Sequence, residues 1–160
     1  MNDKINLIIE NHIFVYNLKK IENFENHREF CLHDMQHFLD VARLMYIMSL
    51  ENTLNIPKYM IYATAFLHDI GRGTQYENGT PHNIASLPIA KNVLLQCKYD
   101  NKEIDEILYA IGNHRINTEN LNSLSDILYK CDKLSRYCAH CIAIDGCKWP
   151  DEKRNMKIIY

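Results

Sequence analysis

Apolar side chains recur along most of the chain at intervals of three and four residues, which is the spacing of an amphipathic helix. One such run covers residues 3–20 and a second covers residues 32–50. The apolar members of the first run are Ile5, Ile8, Ile9, Ile13 and Tyr16. Convincing strand-like alternation of apolar and polar positions does not occur along the sequence. The pattern therefore predicts an all-α chain.

Proline and glycine delimit a third helix and the loop that follows it. Pro57 suits the first turn of a helix that runs to about Ile70, and Gly71 suits its C-terminal end. Residues 71–81 contain three glycines, a proline and several polar side chains, so they predict the one clear loop.

Three further helices are predicted after this loop. The fourth covers residues 82–97, and Pro88 should kink it or mark its real start. The fifth runs from Asn101, acting as its cap, to about Gly112. Ser123 or Ser125 can cap a sixth that continues to about residue 138. The sequence thus predicts a single compact domain of about six helices over residues 1–138, with a short irregular tail over residues 139–160.

Composition and charge narrow the function classes. The 160 residues suit one domain, 47% of them are hydrophobic, and 18 Lys and Arg against 20 Asp and Glu give a net charge of −2. This balance argues against a nucleic-acid polymer as partner, although a metal could supply positive charge for a nucleotide. No secretory signal is visible, and the longest apolar stretch, near residues 60–67, is too short for a bilayer. We expect a cytoplasmic protein without membrane contact, in which the six cysteines are thiols or metal ligands.

Histidines and aspartates form the first candidate site. The pair His68-Asp69 follows an apolar segment at the end of the third predicted helix, where a buried carboxylate is costly unless a partner or a metal compensates it. A second such pair, His33-Asp34, precedes His37. His33 and His37 lie four residues apart and can point the same way, so either can be the ligand from the second helix. His37 is favoured, mainly by the following resemblance.

Three segments together resemble the HD superfamily of metal-dependent phosphohydrolases. They are His37-x-x-x-Val41-Ala42-x-Leu44, His68-Asp69-Ile70-Gly71-Arg72 and Asp132-Lys133-Leu134, and the resemblance covers about residues 30–137. It implies a first metal held by His37, His68, Asp69 and Asp132. It further implies that Asp69 bridges to a second metal completed by His82 and His114.

The resemblance also implies an activity. Imidazoles and carboxylates suit one or two divalent ions of Fe, Mn, Co, Ni or Zn, with Fe or Mn favoured by the family. We expect hydrolysis of a phosphate ester or anhydride of a nucleotide-like small molecule, with metal-bound hydroxide attacking phosphorus near Asp69. Two alternatives stay open: a two-iron oxygenase of the same fold, and a non-catalytic domain that senses a metal or a ligand.

Three cations adjoin the proposed ligands. Arg72 follows the central His-Asp segment, Arg115 follows His114, and Lys133 follows Asp132. Each is a candidate for binding the phosphate of a small phosphorylated metabolite. Arg72 and Lys133 are also candidates for neutralising the charge that develops during hydrolysis.

The predicted tail contains a second candidate site. Cys138-x-x-Cys141 is followed by Cys147 and then by Lys148-Trp149-Pro150. Cys-x-x-Cys is a frequent half of a zinc or iron–sulfur site, for which His140, Cys131 or a residue of a partner chain could be the fourth ligand. Free thiols packed against the domain and a redox disulfide between Cys138 and Cys141 are the alternatives.

Overall fold

A computed structural model describes residues 3–116 and 121–158 of the chain. The described residues form α-helices and short 3-10 turns without a strand, which confirms the all-α prediction. Residues 1–2, 117–120 and 159–160 belong to the predicted domain and tail but lie outside the described residues. The eight α-helices in the described part of the chain are α1 (Asp3–Glu10), α2 (His12–Glu25), α3 (Met35–Glu51), α4 (Lys58–Leu67), α5 (Arg72–Asn78), α6 (His82–Gln96), α7 (Asn101–Asn113) and α8 (Leu124–Leu134).

The first predicted helix is in fact two helices, because Asn11 interrupts it. Asn11 has an extended backbone, and its side-chain oxygen accepts hydrogen bonds from the backbone N–H groups of Ile13 at 2.9 Å and Phe14 at 3.4 Å. An N-cap of this kind starts a new helix, so the prediction of one continuous helix over residues 3–20 was wrong.

The predicted loop over residues 71–81 was also wrong, because residues 72–78 form α5. This helix begins after Gly71 and ends at Gly79, whose φ of 80° is left-handed. It packs against α2 and α6, and Gly73 is buried in that contact. Helices this short depend on tertiary packing rather than on local preference, which explains why the polar sequence gave no helical signal.

The remaining helix ends follow from identifiable caps. Asp34 caps α3, which therefore begins later than residue 32. Asp100, rather than Asn101, caps α7 in a reciprocal arrangement with Glu103. Ser123, rather than Ser125, caps α8, which ends at Leu134 and not near residue 138. The helix α6 continues through Pro88.

Helix α4 lies at the centre of the fold, with contacts to α1, α3, α6, α7 and α8. Helix α3 packs chiefly against α4 and α8, while α7 contacts α4, α6 and α8. Their apolar faces meet in one core, whose largest fully buried side chains include Phe14, Phe38, Phe66, Met45 and Ile107. This arrangement matters for function because the polar ends of the same helices meet at one buried point, described below.

Three single-turn 3-10 segments follow α8 and are anchored to its C-terminal end. The Asn155 side chain donates hydrogen bonds to the backbone carbonyls of Lys133 and Arg136, both at 2.7 Å. The backbone N–H of Cys138 in turn donates to the carbonyl of Asn155 at 3.0 Å. Within the described ranges, none of the helices has the length and apolar character needed to cross a membrane.

Candidate metal centre

The structure brings together all six residues predicted as ligands of the His/Asp site. Their ligand atoms converge in two groups, within each of which all atoms lie within 4.8 Å of one another. The first group is His37, His68, Asp69 and Asp132, and the second is Asp69, His82 and His114. Asp69 belongs to both groups, so its carboxylate lies where a bridging ligand of two ions would lie.

The two oxygen atoms of Asp69 face different groups. Its Oδ2 lies 3.4 Å from Nε2 of His68. Its Oδ1 lies 3.3 Å from Nε2 of His82 and 3.7 Å from Nε2 of His114. Asp132 completes the first group, with Oδ1 3.6 Å from Nε2 of His68. This geometry would allow one ion on each side of a shared carboxylate.

Backbone carbonyls orient two of the imidazoles. Nδ1 of His68 lies 2.6 Å from the carbonyl oxygen of Ala65, and Nδ1 of His114 lies 2.6 Å from that of Ile111. Since a carbonyl can only accept, Nδ1 must carry the proton in both rings. Nε2 is then left with its lone pair directed into the centre, as a metal ligand requires.

Side chains orient the other two imidazoles in the same sense. Nδ1 of His82 lies 2.8 Å from Oε1 of Gln75. Nδ1 of His37 lies 3.2 Å from Oγ of Ser135, whose own hydroxyl donates to the carbonyl of Asp132 at 2.8 Å. The Ser135 oxygen is thus available to accept from His37. Each of the four histidines therefore has an outer partner for Nδ1 and presents Nε2 to the centre.

Unpartnered polar atoms show that a cation fits this site. Among the described residues, Nε2 of His37, Nε2 of His68 and Oδ1 of Asp69 are buried without a hydrogen-bond partner. Burying such atoms alone is costly, and a cation between them removes the cost. The mixed imidazole and carboxylate donors suit a divalent transition metal better than Mg²⁺ or Ca²⁺.

Electrostatics keep the two carboxylates in their ligand form. Burial acts to raise the pKa of Asp69, but the positive charges of His68, Arg72 and His33 outweigh it and hold this pKa well below its usual range. Burial likewise opposes ionisation of Asp132, and the adjacent imidazoles of His37 and His68 lower its pKa well below the usual range. Both side chains are therefore anionic at neutral pH.

Burial also keeps most of the imidazoles neutral. It lowers the pKa of His37 to about 4 and that of His82 to about 3, and it lowers the pKa of His114 as well. For His68 burial has the same tendency, but the adjacent carboxylates of Asp69 and Asp132 raise its pKa. A metal ion that binds His68 would displace a proton there.

His33 and His37 occupy different environments although both are buried. The backbone N–H of His33 donates to Oε2 of Glu25 at 2.7 Å, and its Nδ1 lies 2.6 Å from Oε1 of the same side chain. Its Nε2 is 3.7 Å from Asp69, and it belongs to neither converging group. The geometry thus places His37, not His33, among the ligand atoms. The second His-Asp pair of the sequence, His33-Asp34, has a structural explanation, because Asp34 caps α3.

A pocket of about 460 Å³ opens beside the first ligand group and shares Asp132 with it. Five cationic side chains and one carboxylate line this pocket, together with one tryptophan and four cysteines. The lining residues are Arg28, Phe30, Cys31, His33, Arg72, Asp132, Arg136, Cys138, Cys141, Ile144, Cys147, Lys148, Trp149 and Arg154.

Of the three cations predicted to bind substrate, Arg72 is the one that lines this pocket. Its Nε donates to Oδ2 of Asp69 at 2.7 Å, so the guanidinium joins the shared ligand to the pocket. Lys133 instead lies over the ring of Tyr129, 3.6 Å from its centroid, and donates to the Tyr129 carbonyl at 3.2 Å. Arg115 is exposed just after α7. The structure therefore brings neither Lys133 nor Arg115 into the pocket wall.

Sequence reasoning missed four pocket cations, namely Arg28, Arg136, Lys148 and Arg154. Arg28 follows α2 and Arg136 follows α8, while the other two belong to the tail. Arg136 lies four residues after Asp132, one helical turn from a proposed ligand, and this spacing was a usable signal. The other three gave no such signal, because only the tertiary fold brings them to the pocket.

Comparison with known proteins agrees with the geometry of the centre. The family model described as HD domain matches residues 34–137. This match spans all six of the predicted His/Asp ligands. The chain belongs to the HD domain family.

Individual relatives extend this comparison. The chain is 45% identical over 158 residues to an uncharacterized protein of Clostridium beijerinckii, and the match covers 99% of both chains. It is 36% identical over 101 residues to Ribonuclease Y of Desulfotalea psychrophila, with 63% of this chain matched but only 18% of that protein. Among solved structures, a predicted HD superfamily hydrolase from an uncultured Thermotogales bacterium is 21% identical, with a TM-score of 0.64 over 98% of this chain and 82% of that one. At 21% identity, this solved structure shows similarity of fold alone.

Proposed function

We propose that this chain is a metal-dependent phosphohydrolase whose substrate is a small phosphorylated molecule of the nucleotide type. The observation that carries the proposal is the contact between the first ligand group and the cationic pocket. Asp132 belongs to the first ligand group and also lines the pocket, so a phosphate bound there would lie next to the metal ligands.

In the proposed hydrolysis, the metal ions and the protein side chains have different roles. When bound, a pair of divalent ions supplies a water activated near neutral pH and positive charge for the phosphoryl oxygens. Arg72 holds the shared ligand Asp69 and, from the pocket wall, is positioned to bind a phosphoryl oxygen. Arg136 and Arg154 supply further positive charge for the rest of a phosphorylated substrate.

The pocket supports a small substrate in preference to a polymer. A volume of about 460 Å³ falls within the usual range for small-molecule sites. Half-buried Trp149 offers an aromatic face on which a nucleobase could stack, near the cations that would bind its phosphates. A nucleotide or a dinucleotide meets both requirements.

The experiment is hydrolysis by the purified chain loaded in turn with Fe²⁺, Mn²⁺, Co²⁺, Ni²⁺ and Zn²⁺. Substrates are a phosphomonoester, a nucleoside monophosphate, a cyclic nucleotide, a dinucleoside polyphosphate and a short RNA. We expect turnover of at least one small substrate, abolished by Asp69→Ala. Arg72→Ala should lower kcat/KM by about 100-fold, the loss of one charge-assisted contact in the transition state.

Lys102→Ala, on the exposed face of α7, is the matched control and should leave kcat/KM unchanged. Variants of Arg115 and Lys133 test the two predicted cations that lie outside the pocket wall. Cleavage of RNA alone would contradict the small-substrate part of the proposal. Fully metal-loaded protein that binds nucleotides but hydrolyses nothing would favour the sensing alternative, and oxygen uptake on substrate addition would favour the two-iron oxygenase.

A further inference from the structure

Four cysteines from two distant parts of the chain line the same pocket. Cys31 precedes α3, whereas Cys138, Cys141 and Cys147 belong to the tail after α8. All four are free thiols, of which Cys138 is buried and the other three are half-buried. The tail alone offers three sulfur ligands, and the fold adds a fourth that sequence spacing did not suggest.

The other two cysteines have a different role. Cys97 and Cys131 belong to the hydrophobic core, and Sγ of Cys131 lies 3.8 Å from the sulfur of Met48. Burial raises the pKa of Cys131 to about 12 and also raises that of Cys97. Cys131 was one of the expected fourth ligands of the tail site, and its place in the core makes that interpretation wrong.

His140, the other expected fourth ligand within this chain, also lies outside the pocket wall. Its ring is exposed and packs on Tyr137, with 5.6 Å between ring centroids. With Cys131 and His140 facing elsewhere, Cys31 is the residue of this chain that completes a set of four thiols around the pocket.

Hydrogen bonds from backbone and side-chain donors hold the tail cysteines in place. The backbone N–H of Cys141 donates to the carbonyl of Cys138 at 3.0 Å, so the Cys-x-x-Cys segment forms a single tight turn. Arg154 donates to the carbonyl of Cys147 at 2.8 Å, and the Asn155 contacts described above fix this region to α8. The sulfur atoms are thus presented by an ordered element.

The charge of the pocket suits thiolates. Four ionised cysteines around a divalent ion, or around a cluster, carry net negative charge. Cationic side chains in the pocket wall can offset that charge. Each thiol gives up its proton on ligation.

We propose that Cys31, Cys138, Cys141 and Cys147 bind a second metal centre of the thiolate class in the wall of the pocket. Among the described residues, neither converging ligand group contains a cysteine, so no three of these sulfurs lie within 4.8 Å of one another. A tetrahedral zinc ion, with Zn–S bonds of about 2.3 Å, needs its sulfurs about 3.8 Å apart and hence an inward movement of the tail. An iron–sulfur cluster holds its cysteine sulfurs further apart than a single zinc ion does and is the second candidate for this centre.

The test uses the full chain purified without oxygen. Iron, zinc and acid-labile sulfide are measured per chain, together with the visible absorption spectrum. Sulfide with a broad visible band identifies a cluster, and one zinc beyond the His/Asp ions identifies a zinc site. Cys31→Ser and Cys141→Ser should each lose that component, while Cys97→Ala, which removes a core thiol, should keep it.

This centre does not depend on the proposed hydrolase activity, and one variant separates the two. His82→Ala should reduce metal at the His/Asp centre and leave the thiolate centre intact. If Cys31→Ser fails to fold, X-ray absorption on the wild-type protein replaces it: sulfur neighbours around a metal support the proposal, and only nitrogen and oxygen neighbours overturn it. Equal metal and sulfide contents in wild type and folded Cys31→Ser, or a Cys138–Cys141 disulfide in the anaerobic protein, would also overturn it.

Discussion

His33 and His37, four residues apart, show how outer hydrogen bonds decide a residue's role. Glu25 binds both the backbone N–H and Nδ1 of His33, whereas His37 presents an unpartnered Nε2 to Asp132 at 3.4 Å. We predict that His37→Ala loses about one metal ion per chain and that His33→Ala retains the full content. Elemental analysis of the two purified variants checks this, and equal losses in both would contradict the assignment of His37.

The lowered pKa of Glu25 leads to a prediction about how stability depends on pH. Burial acts to raise its pKa, but hydrogen bonds and charge from His33, with a further hydrogen bond from Tyr76, lower it to about 2 from 4.5. A carboxylate with a lowered folded pKa stabilises the fold fully above its unfolded pKa, and the contribution disappears as pH falls from about 4.5 towards about 2. The side chain is almost fully buried, so the contribution at neutral pH is on the order of 1–3 kcal/mol.

Glu25→Gln should therefore lower the free energy of unfolding at neutral pH by that amount, and its difference from wild type should shrink below about pH 4.5. Denaturant titrations at several pH values measure it, with chelator present so that metal release is the same in both proteins. A difference that stays constant as the pH falls would contradict the prediction.

At the scale of elements, helix α5 supports the second ligand group. Gln75 on α5 accepts from Nδ1 of His82, the first residue of α6. Outer partners of this kind typically contribute 10–100-fold to metal affinity. We expect Gln75→Ala to weaken binding of one ion by about 10-fold or more in competition with a chelator. Glu77→Ala, on the same helix but paired with Lys20 at the surface, should not change it.

Close contact between the turn after α4 and helix α6 fixes the distance between the two parts of the centre. A Cβ on Gly71 would lie 2.4 Å from the backbone nitrogen of Ser86 and 2.8 Å from the carbonyl oxygen of His82. Gly71→Ala must push the two elements apart, so we expect a loss of about 1–3 kcal/mol of stability together with weaker metal binding.

Gly112→Ala is the matched control for Gly71→Ala. A Cβ at Gly112 meets only the Leu87 side chain at 3.7 Å, and alanine is the better helix former within α7. This variant should be as stable as wild type or more stable by up to about 1 kcal/mol. Thermal unfolding and chelator competition on both variants decide the comparison, and equal effects would show that the Gly71 contact is unimportant.

The same elements show what could be read from the sequence. Long amphipathic helices such as α3 and α7 were predictable because an apolar face must be buried, whereas α5 has no such face and forms through its packing against α2 and α6. The six His/Asp ligands were found through the resemblance of three short segments, and the structure brings them together. The pocket was not foreseen, because Arg28, Cys31 and the tail are far apart along the chain.

At the scale of the whole molecule, net charge and local charge diverge. The chain carries a net charge of −2, yet five cationic side chains and one carboxylate line the pocket. The overall balance argued against a strongly basic surface for nucleic acid, whereas five of the 18 Lys and Arg line one concave site. Such focusing favours small anionic ligands without making the whole surface basic.

Metal removal should destabilise the whole fold, because the ligands converge from α3, α6, α8 and the ends of α4 and α7. An ion that binds only the folded state adds about 2.7 kcal/mol when present at 100 times its Kd. For a chain of this size that corresponds to about 5–10 °C in Tm. We expect chelator to lower the Tm of the wild type by this amount. Differential scanning fluorimetry measures the change in Tm. Asp69→Ala lacks the ligand shared by both groups, so we expect a smaller chelator effect in this variant. An equal shift in both proteins would contradict a stabilising role for the His/Asp centre.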